Sequence, residues 1–244
     1  MNVGPLRQVP SSRSDSGTLA SAGSYDPFAP GPFPVGERTI QATDQARGRV
    51  FPCDIWHPSE VEGLQLAARP LIVYSHSGGG NRRSGAFLAT HLASHGYVVA
   101  ALDHSELVAP ELARREGEAE KDRAARIEAV IGSRVPDIRF LLDHLLGGFG
   151  PADIAFDGGR IGLVGHSFGG WTVLATAEVE PRVRAVVAMS PGGSAQPRPG
   201  ILPLTLAFAW DRDIPTLYLD SACQRLRIVR PHAGIEATVH PASG

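Results

Sequence analysis

The sequence has 244 residues, of which 43% are hydrophobic, and this suits one globular domain with a sizeable core. Its 23 basic and 25 acidic residues leave a formal net charge of -2, which argues against nucleic acid or an anionic membrane surface as a partner. Two cysteines are too few for a disulfide framework.

Three regions are distinguished along the chain. Residues 1–35 are rich in Ser, Gly and Pro and predict a disordered or loosely attached arm. Residues 36–220 are predicted to form the folded domain, and residues 221–244 an atypical tail that need not be ordered, because apolar periodicity is lost after Leu219. The N-terminus lacks the apolar segment of a secretory signal and no stretch is long and apolar enough to span a bilayer, so we expect a cytoplasmic protein.

Strand and helix patterns alternate within the predicted domain. Arg38–Thr43 and Arg49–Trp56 predict two antiparallel strands. Apolar runs then predict buried parallel strands at Pro70–His76, Tyr97–Leu102, Ile161–Val164, Arg184–Met189 and Pro215–Leu219. Helices are predicted at Phe87–His95, Val135–Leu146 and Trp171–Ala177, and the charged segment Glu111–Ile131 predicts a solvated helix or an ordered insertion. The pattern favours an α/β fold with right-handed crossovers.

The most informative stretch is Arg160–Ala177, which reads as strand, tight turn and helix. Its centre, Gly165-His166-Ser167-Phe168-Gly169, matches the G-x-S-x-G pattern of a nucleophile elbow. A sharp turn strains the serine backbone, and a Cβ at either flanking glycine would clash with the crossing strand and helix. We therefore predict that Ser167 is a nucleophile at the start of a helix.

A second glycine-rich stretch, His76-Ser77-Gly78-Gly79-Gly80, follows the strand Pro70–His76. This is where the nucleophile-elbow fold places a backbone donor of the oxyanion hole, and the other donor is the residue after the nucleophile. We therefore predict Gly78 and Phe168 as the oxyanion donors. The stretch lacks the G-K-[ST] ending of a P-loop, and no cluster has zinc-ligand spacing, so we expect neither a cofactor nor a metal.

Together these stretches resemble the platelet-activating factor acetylhydrolase and dienelactone-hydrolase-like branch of the α/β-hydrolases, over roughly residues 26–219. DPFAPGPFPVGERTI and FPCDIWHP add to the likeness. The resemblance implies an α/β-hydrolase fold, with a mostly parallel sheet of eight strands and helices on both faces, and a C-terminal part that is incomplete here. It also implies serine esterase chemistry on short-acyl or lipid-like esters, and hence a role in lipid metabolism. Dienelactone hydrolases proper use a cysteine at the elbow, where this chain has Ser167.

The order of catalytic residues in this fold is Ser, then Asp or Glu, then His. Asp220 directly follows the strand Pro215–Leu219 and is the preferred acid, while Asp211 and Asp213 are alternatives. The later histidines are His232 and His240. His232 is the preferred base because it follows the possible strand Leu226–Val229, although only a few residues replace the helix that the family has before that strand.

The sequence therefore predicts a serine hydrolase for a small-molecule ester, with Ser167 attacking the carbonyl. The alternative is a protein of the same fold that is catalytically impaired because its atypical tail supplies no correctly placed histidine. A peptidase or thioesterase that uses the same elbow is a third hypothesis. The sequence leaves the acyl length, the alcohol group and the oligomeric state open.

Overall fold

The structure is a computed structural model that describes residues 26–59, 67–193, 203–220 and 225–229, with Asp220 and 225–229 described by their backbone alone. The strands are β1 (Val35–Asp44), β2 (Arg49–Pro58), β3 (Arg69–Ser75), β4 (Val98–Leu102), β5 (Phe156–His166), β6 (Val183–Met189), β7 (Thr216–Asp220) and β8 (Arg225–Val229). The α-helices are α1 (Ala86–Ser94), α2 (Ser105–Val108), α3 (Glu120–His144) and α4 (Phe168–Val179).

The eight strands of the described residues form one sheet in the order β1-β2-β4-β3-β5-β6-β7-β8. Strands β4, β3, β5, β6 and β7 are parallel to one another. The pair β1–β2 is antiparallel, β2 runs antiparallel to β4, and β8 runs antiparallel to β7. The mostly parallel sheet predicted from the sequence is confirmed.

Helices cover both faces of the sheet because side chains alternate along its central strands. On one face, Leu71 and Val73 of β3 join a cluster with residues of α3 and α4. On the other face, Ile72 and Tyr74 of the same strand join a cluster with Ala89 and other residues of α1. The continuous apolar run in β3 therefore reflects burial on both sides, as expected for a central parallel strand.

Helix α3 differs from the prediction of two separate segments. The charged segment and the amphipathic segment are largely parts of one helix of 25 residues that continues through Pro136. A proline removes only the hydrogen bond to the carbonyl four residues earlier, here that of Gly132, and the surrounding packing outweighs this loss.

None of the helices in the described ranges is both long and apolar enough to cross a membrane.

The two ends of the chain are only partly described. Within the predicted arm, the Phe33 ring centre lies 4.7 Å from the Arg69 guanidinium carbon, and the Phe33 N–H donates to the Ser94 carbonyl. Phe28, in contrast, is 90% exposed. Within the predicted tail, β8 joins the sheet as an edge strand. An antiparallel hairpin between β7 and β8 stands where the family resemblance implied a helix and a crossover.

The sheet positions the functional residues at one edge. Parallel strands all end at the same side, so the residues that follow β3, β4, β5 and β6 meet there. These residues are His76, Asp103, Ser167 and Ser190.

Candidate active site

Ser167 is the turn residue between β5 and α4, and its backbone is strained. Its φ of 54° and ψ of -118° place a non-glycine residue at positive φ, a conformation shared only with Ser190 among the described residues. The surrounding backbone holds it there. The Ser167 N–H donates to the Met189 carbonyl at 2.9 Å, and the Gly192 N–H donates to the Ser167 carbonyl at 2.8 Å. Strain that is maintained from both sides in this way is typical of functional turns.

The glycines that flank Ser167 are required by close backbone contacts. A Cβ on Gly165 would lie 2.1 Å from the Gly169 carbonyl oxygen, and a Cβ on Gly169 would lie 2.0 Å from the Ser75 carbonyl oxygen. The first contact is with helix α4 and the second with strand β3, the two elements that cross beneath the turn. No side chain larger than hydrogen fits at either position.

Two glycine-to-alanine substitutions in β5 test this packing. Gly165→Ala should lower the free energy of unfolding by about 3 kcal/mol or more, because the added methyl meets backbone that cannot rotate away. Gly162→Ala in the same strand is the matched control, since its Cβ would meet Ile72 Cγ1 at an ordinary 3.6 Å. Urea denaturation of both variants measures the difference. Equal stability of the two variants would contradict the assignment of Gly165 as a packing-limited position.

The predicted oxyanion-hole residues lie side by side. Phe168 is the first residue of α4, and the N–H groups of a first helical turn have no partner within their helix. A Cβ on Gly78 would lie 3.9 Å from the Phe168 Cβ, so the glycine-rich loop after β3 contacts the elbow. The loop itself is a tight turn, in which the Gly80 N–H donates to the Ser77 carbonyl at 3.0 Å and Gly79 has a φ of +77°.

The loop after β6 also contacts the elbow, which sequence reasoning missed. Ser190 has a φ of 42°, and its N–H donates to the Leu219 carbonyl at 2.6 Å. A Cβ on Gly192 would lie 3.4 Å from the Phe168 nitrogen. The Ser-Pro-Gly-Gly run directly after a predicted strand is the sequence feature that could have indicated this loop.

The predicted acid and base are placed only in part. Asp220 is the last residue of β7, whose neighbour β6 ends beside Ser167, so its backbone lies at the edge of the sheet that carries the elbow. The alternatives Asp211 and Asp213 precede β7 and therefore lie toward the opposite edge. The preferred base His232 and its alternative His240 are outside the described residues. Within the described ranges, no imidazole hydrogen-bonds to the Ser167 hydroxyl.

A Ser–His–Asp arrangement that the sequence did not indicate lies buried behind the glycine-rich loop. The Ser75 hydroxyl lies 2.8 Å from His104 Nε2, and His104 Nδ1 lies 3.1 Å from Asp137 Oδ2. An ionised carboxylate only accepts, so Nδ1–H donates to Asp137 and Nε2 accepts from Ser75. All three side chains are 0% exposed, so Ser75 is closed to substrate and the arrangement is structural.

Asp137 of α3 is the centre of this buried network. It accepts hydrogen bonds from His104, from the Ser105 N–H and hydroxyl at 2.8 and 2.6 Å, and from Arg47 at 2.6 Å. Burial alone would raise the pKa of Asp137, but the hydrogen bonds from His104 and Ser105 outweigh it and hold that pKa below its usual value. The network thereby fixes α3 to the ends of β3 and β4.

Two neutral histidines belong to the same region. Burial, aided by the Arg134 charge, lowers the pKa of His76 to about 4 and that of His104 to about 3. In neutral His76, Nδ1–H donates to the Ser77 carbonyl at 2.8 Å, and Nε2 accepts the His104 N–H at 3.3 Å. The His76 ring therefore joins the glycine-rich loop to the end of β4.

These low pKa values predict that the protein loses stability in mild acid. Below pH 6.5 the unfolded chain protonates His76 and His104, whereas the folded state binds those protons only near pH 4 and pH 3. Stability present above pH 6.5 is therefore lost as the pH falls through this window, by about 1.4 kcal/mol per pH unit for each imidazole. Urea denaturation at pH 7.5, 6 and 5 measures this slope, and His104→Gln should roughly halve it. An unfolding free energy that is flat between pH 7.5 and 5 would contradict the prediction.

Comparisons with known proteins agree with this architecture. A family model described as platelet-activating factor acetylhydrolase, isoform II, matches residues 55–128, which include the glycine-rich loop but not the elbow. A ferulic acid esterase from Streptomyces cinnamoneus is 25% identical, with a TM-score of 0.57 over 79% of this chain and 67% of that one. A putative dienelactone hydrolase from Klebsiella pneumoniae is 16% identical, with a TM-score of 0.56 over 76% of this chain and 72% of that one, and shows the fold alone. The search of curated proteins gives no match.

Proposed function

Because the chain has the α/β-hydrolase fold, matches a platelet-activating factor acetylhydrolase model over residues 55–128 and is 25% identical to a ferulic acid esterase, we propose that it is a serine hydrolase of carboxylic esters. Ser167 is the nucleophile, and the amides of Phe168 and Gly78 form the oxyanion hole. Asp220 is the acid and His232 the base of the triad. The substrate is a short-acyl or lipid-like ester.

The strained turn at Ser167 is the observation that carries the proposal. A serine at positive φ between a parallel strand and a helix presents its hydroxyl at the carboxyl edge of the sheet. Gly78, in the loop after β3, lies next to Phe168, the first residue of α4. A packing role for Ser167 would not require this conformation, since helix and strand can be joined by a relaxed turn.

The reaction follows from these positions. The Ser167 oxygen attacks the ester carbonyl while its proton passes to the base, and the carbonyl oxygen becomes an oxyanion that two backbone N–H groups stabilise. Collapse of this intermediate releases the alcohol, which takes the proton, and leaves an acyl group on Ser167. A water molecule then repeats the attack and releases the acid.

Two partly buried side chains, Ile131 and Trp171, support an apolar acyl group. They pack against a small apolar cluster that consists of Ala109, Leu112, Val130, Phe168 and Leu204. The members of that cluster are at most 8% exposed, so Ile131 and Trp171 are the side chains that an apolar acyl group would contact.

An active-site-directed fluorophosphonate probe tests the proposal. An activated Ser167 should be labelled, with the modified residue identified by peptide mass analysis. A panel of p-nitrophenyl esters from acetate to palmitate, together with methyl ferulate as an ester of an aromatic acid, would then define the acyl preference. Labelling with no hydrolysis of any ester would favour a different leaving group, and thioester and amide panels would identify it.

A catalytically impaired α/β-hydrolase is the second candidate. It is favoured by one observation, namely that β8 pairs antiparallel with β7, so the chain that leads to His232 departs from the helix and crossover that the family resemblance implied. His232→Ala and His240→Ala separate the candidates. Loss of labelling in one of these variants identifies the base, whereas absence of labelling in the folded wild-type protein favours the impaired candidate.

A further inference from the structure

Arg134 is a buried cation that contacts the two segments in which the predicted oxyanion donors lie. It lies on α3, and its side chain is 0% exposed. Its Nη1 donates to the His76 carbonyl at 2.8 Å, directly before the glycine-rich loop that carries Gly78. Its guanidinium carbon lies 4.1 Å from the centre of the Phe168 ring. One side chain thus contacts the two segments that the proposed function assigns as oxyanion donors.

The ion pair of Arg134 does not by itself account for this placement. Arg134 Nη2 pairs with Glu106 of α2, which neutralises the buried charge. A buried ion pair is often replaceable by apolar residues without loss of stability, because desolvation offsets the attraction. The stacking on Phe168 and the bond to His76 need more than a charge. They need a planar group that stacks with its face and donates with its edge, which arginine provides and lysine does not.

The contacts also restrict the direction in which each segment can move. The guanidinium over the Phe168 ring restricts the movement of that ring, and its hydrogen bond restricts the movement of the His76 carbonyl. His76 is in turn held by its own bond to the Ser77 carbonyl, so the loop is fixed on both sides of its first residue. The two predicted amide donors belong to different elements, and a group that bridges those elements sets their separation.

We propose that Arg134 is a positioning residue that holds the Phe168 and Gly78 amides at the spacing an oxyanion requires. This inference rests on the proposed function. Oxyanion donors act only within a narrow distance of the developing charge, and a displacement of about 1 Å can reduce the rate about 10²-fold. Arg134 does not touch the substrate, and its effect is on the transition state.

The experiment compares Arg134→Lys with the wild-type enzyme on p-nitrophenyl acetate. Lysine keeps the charge but loses the planar stack, so kcat should fall about 10- to 100-fold while KM changes less than about threefold. Arg139→Lys on the same helix is the matched control, because that side chain is 51% exposed, and its kcat should be unchanged. Thermal denaturation and the rate of fluorophosphonate labelling are measured on the same samples.

A second variant changes Phe168, the other partner in the contact with Arg134. Phe168→Leu keeps the backbone amide but removes the ring, so it should also lower kcat selectively. In a double-mutant cycle, the combined variant should lose little more than either single one, because both remove one interaction. If Arg134→Lys proves unstable, the effect of Phe168→Leu on kcat and KM tests the same contact with Arg134 and its ion pair left in place.

Failure of the inference is distinguishable from failure of the proposed function. If Arg134→Lys keeps wild-type kcat, or if its losses and those of Phe168→Leu multiply independently, the positioning role is wrong while the esterase assignment stands. If the folded wild-type protein neither hydrolyses esters nor reacts with the probe, the proposed function fails and the positioning role fails with it.

Discussion

Ser167→Ala should abolish ester hydrolysis while leaving the fold intact. The loss expected from removing a triad nucleophile is about 10⁶-fold in kcat, because the hydroxyl oxygen forms the covalent intermediate and no neighbouring group can replace it. Alanine is smaller than serine and adds no atom to the turn, so the strained backbone should be preserved. Initial rates with p-nitrophenyl acetate, together with far-UV circular dichroism, measure both parts of the prediction.

The matched control is Ser59→Ala. Ser59 follows β2, which runs antiparallel to β4, so it lies at the amino edge of the parallel strands and away from the elbow. This variant should keep wild-type activity and wild-type labelling by a fluorophosphonate. Hydrolysis that survives in Ser167→Ala at more than a few per cent of wild type would overturn the proposed mechanism.

Asp137→Ala should lower the free energy of unfolding by about 3–5 kcal/mol. Asp137 is wholly buried and accepts hydrogen bonds from Arg47, His104 and Ser105. Removing one partner of a buried charged group leaves the others desolvated without compensation, which costs far more than the net contribution of the original contact. Urea denaturation at pH 7.5 gives the difference in free energy.

Asp153→Ala is the control for charge removal at the surface. Its ion pair with Arg38 has both side chains more than half exposed, and exposed pairs contribute about 1 kcal/mol or less. A loss at Asp137 no larger than that at Asp153 would show that the buried network does not stabilise the fold.

Local patterns in the sequence were sufficient to predict the elbow. An apolar run, two glycines around a serine and a following helix-compatible stretch all lie within 18 residues, and each constraint acts between near neighbours. The contacts that require Gly165 and Gly169 were therefore expected before the structure was known. The glycine-rich loop was predicted for the same reason, because its position depends only on the strand that it follows.

The buried network could not be predicted in this way. Its members Ser75, His104 and Asp137 are 29 to 62 positions apart and belong to β3, the end of β4 and the middle of α3. The periodicity of α3 placed Asp137 near an apolar stripe without showing what polar partners it would find there. Arg134 could not be predicted either, because it lies between the predicted segments Glu111–Ile131 and Val135–Leu146 and its partners are distant in the sequence.

Local sequence was enough to infer the alternation of strands and helices, the strained turn at Ser167 and the loop that faces it. These features follow from hydrophobic period and from glycine geometry, both of which act over a few residues. Which distant polar groups meet behind that loop depends on packing, since helix α3 must lie across the sheet before Arg134 and Asp137 acquire partners. Strand β8 is the antiparallel edge of the sheet because the chain between Asp220 and Arg225 is too short for the crossover that a parallel strand needs.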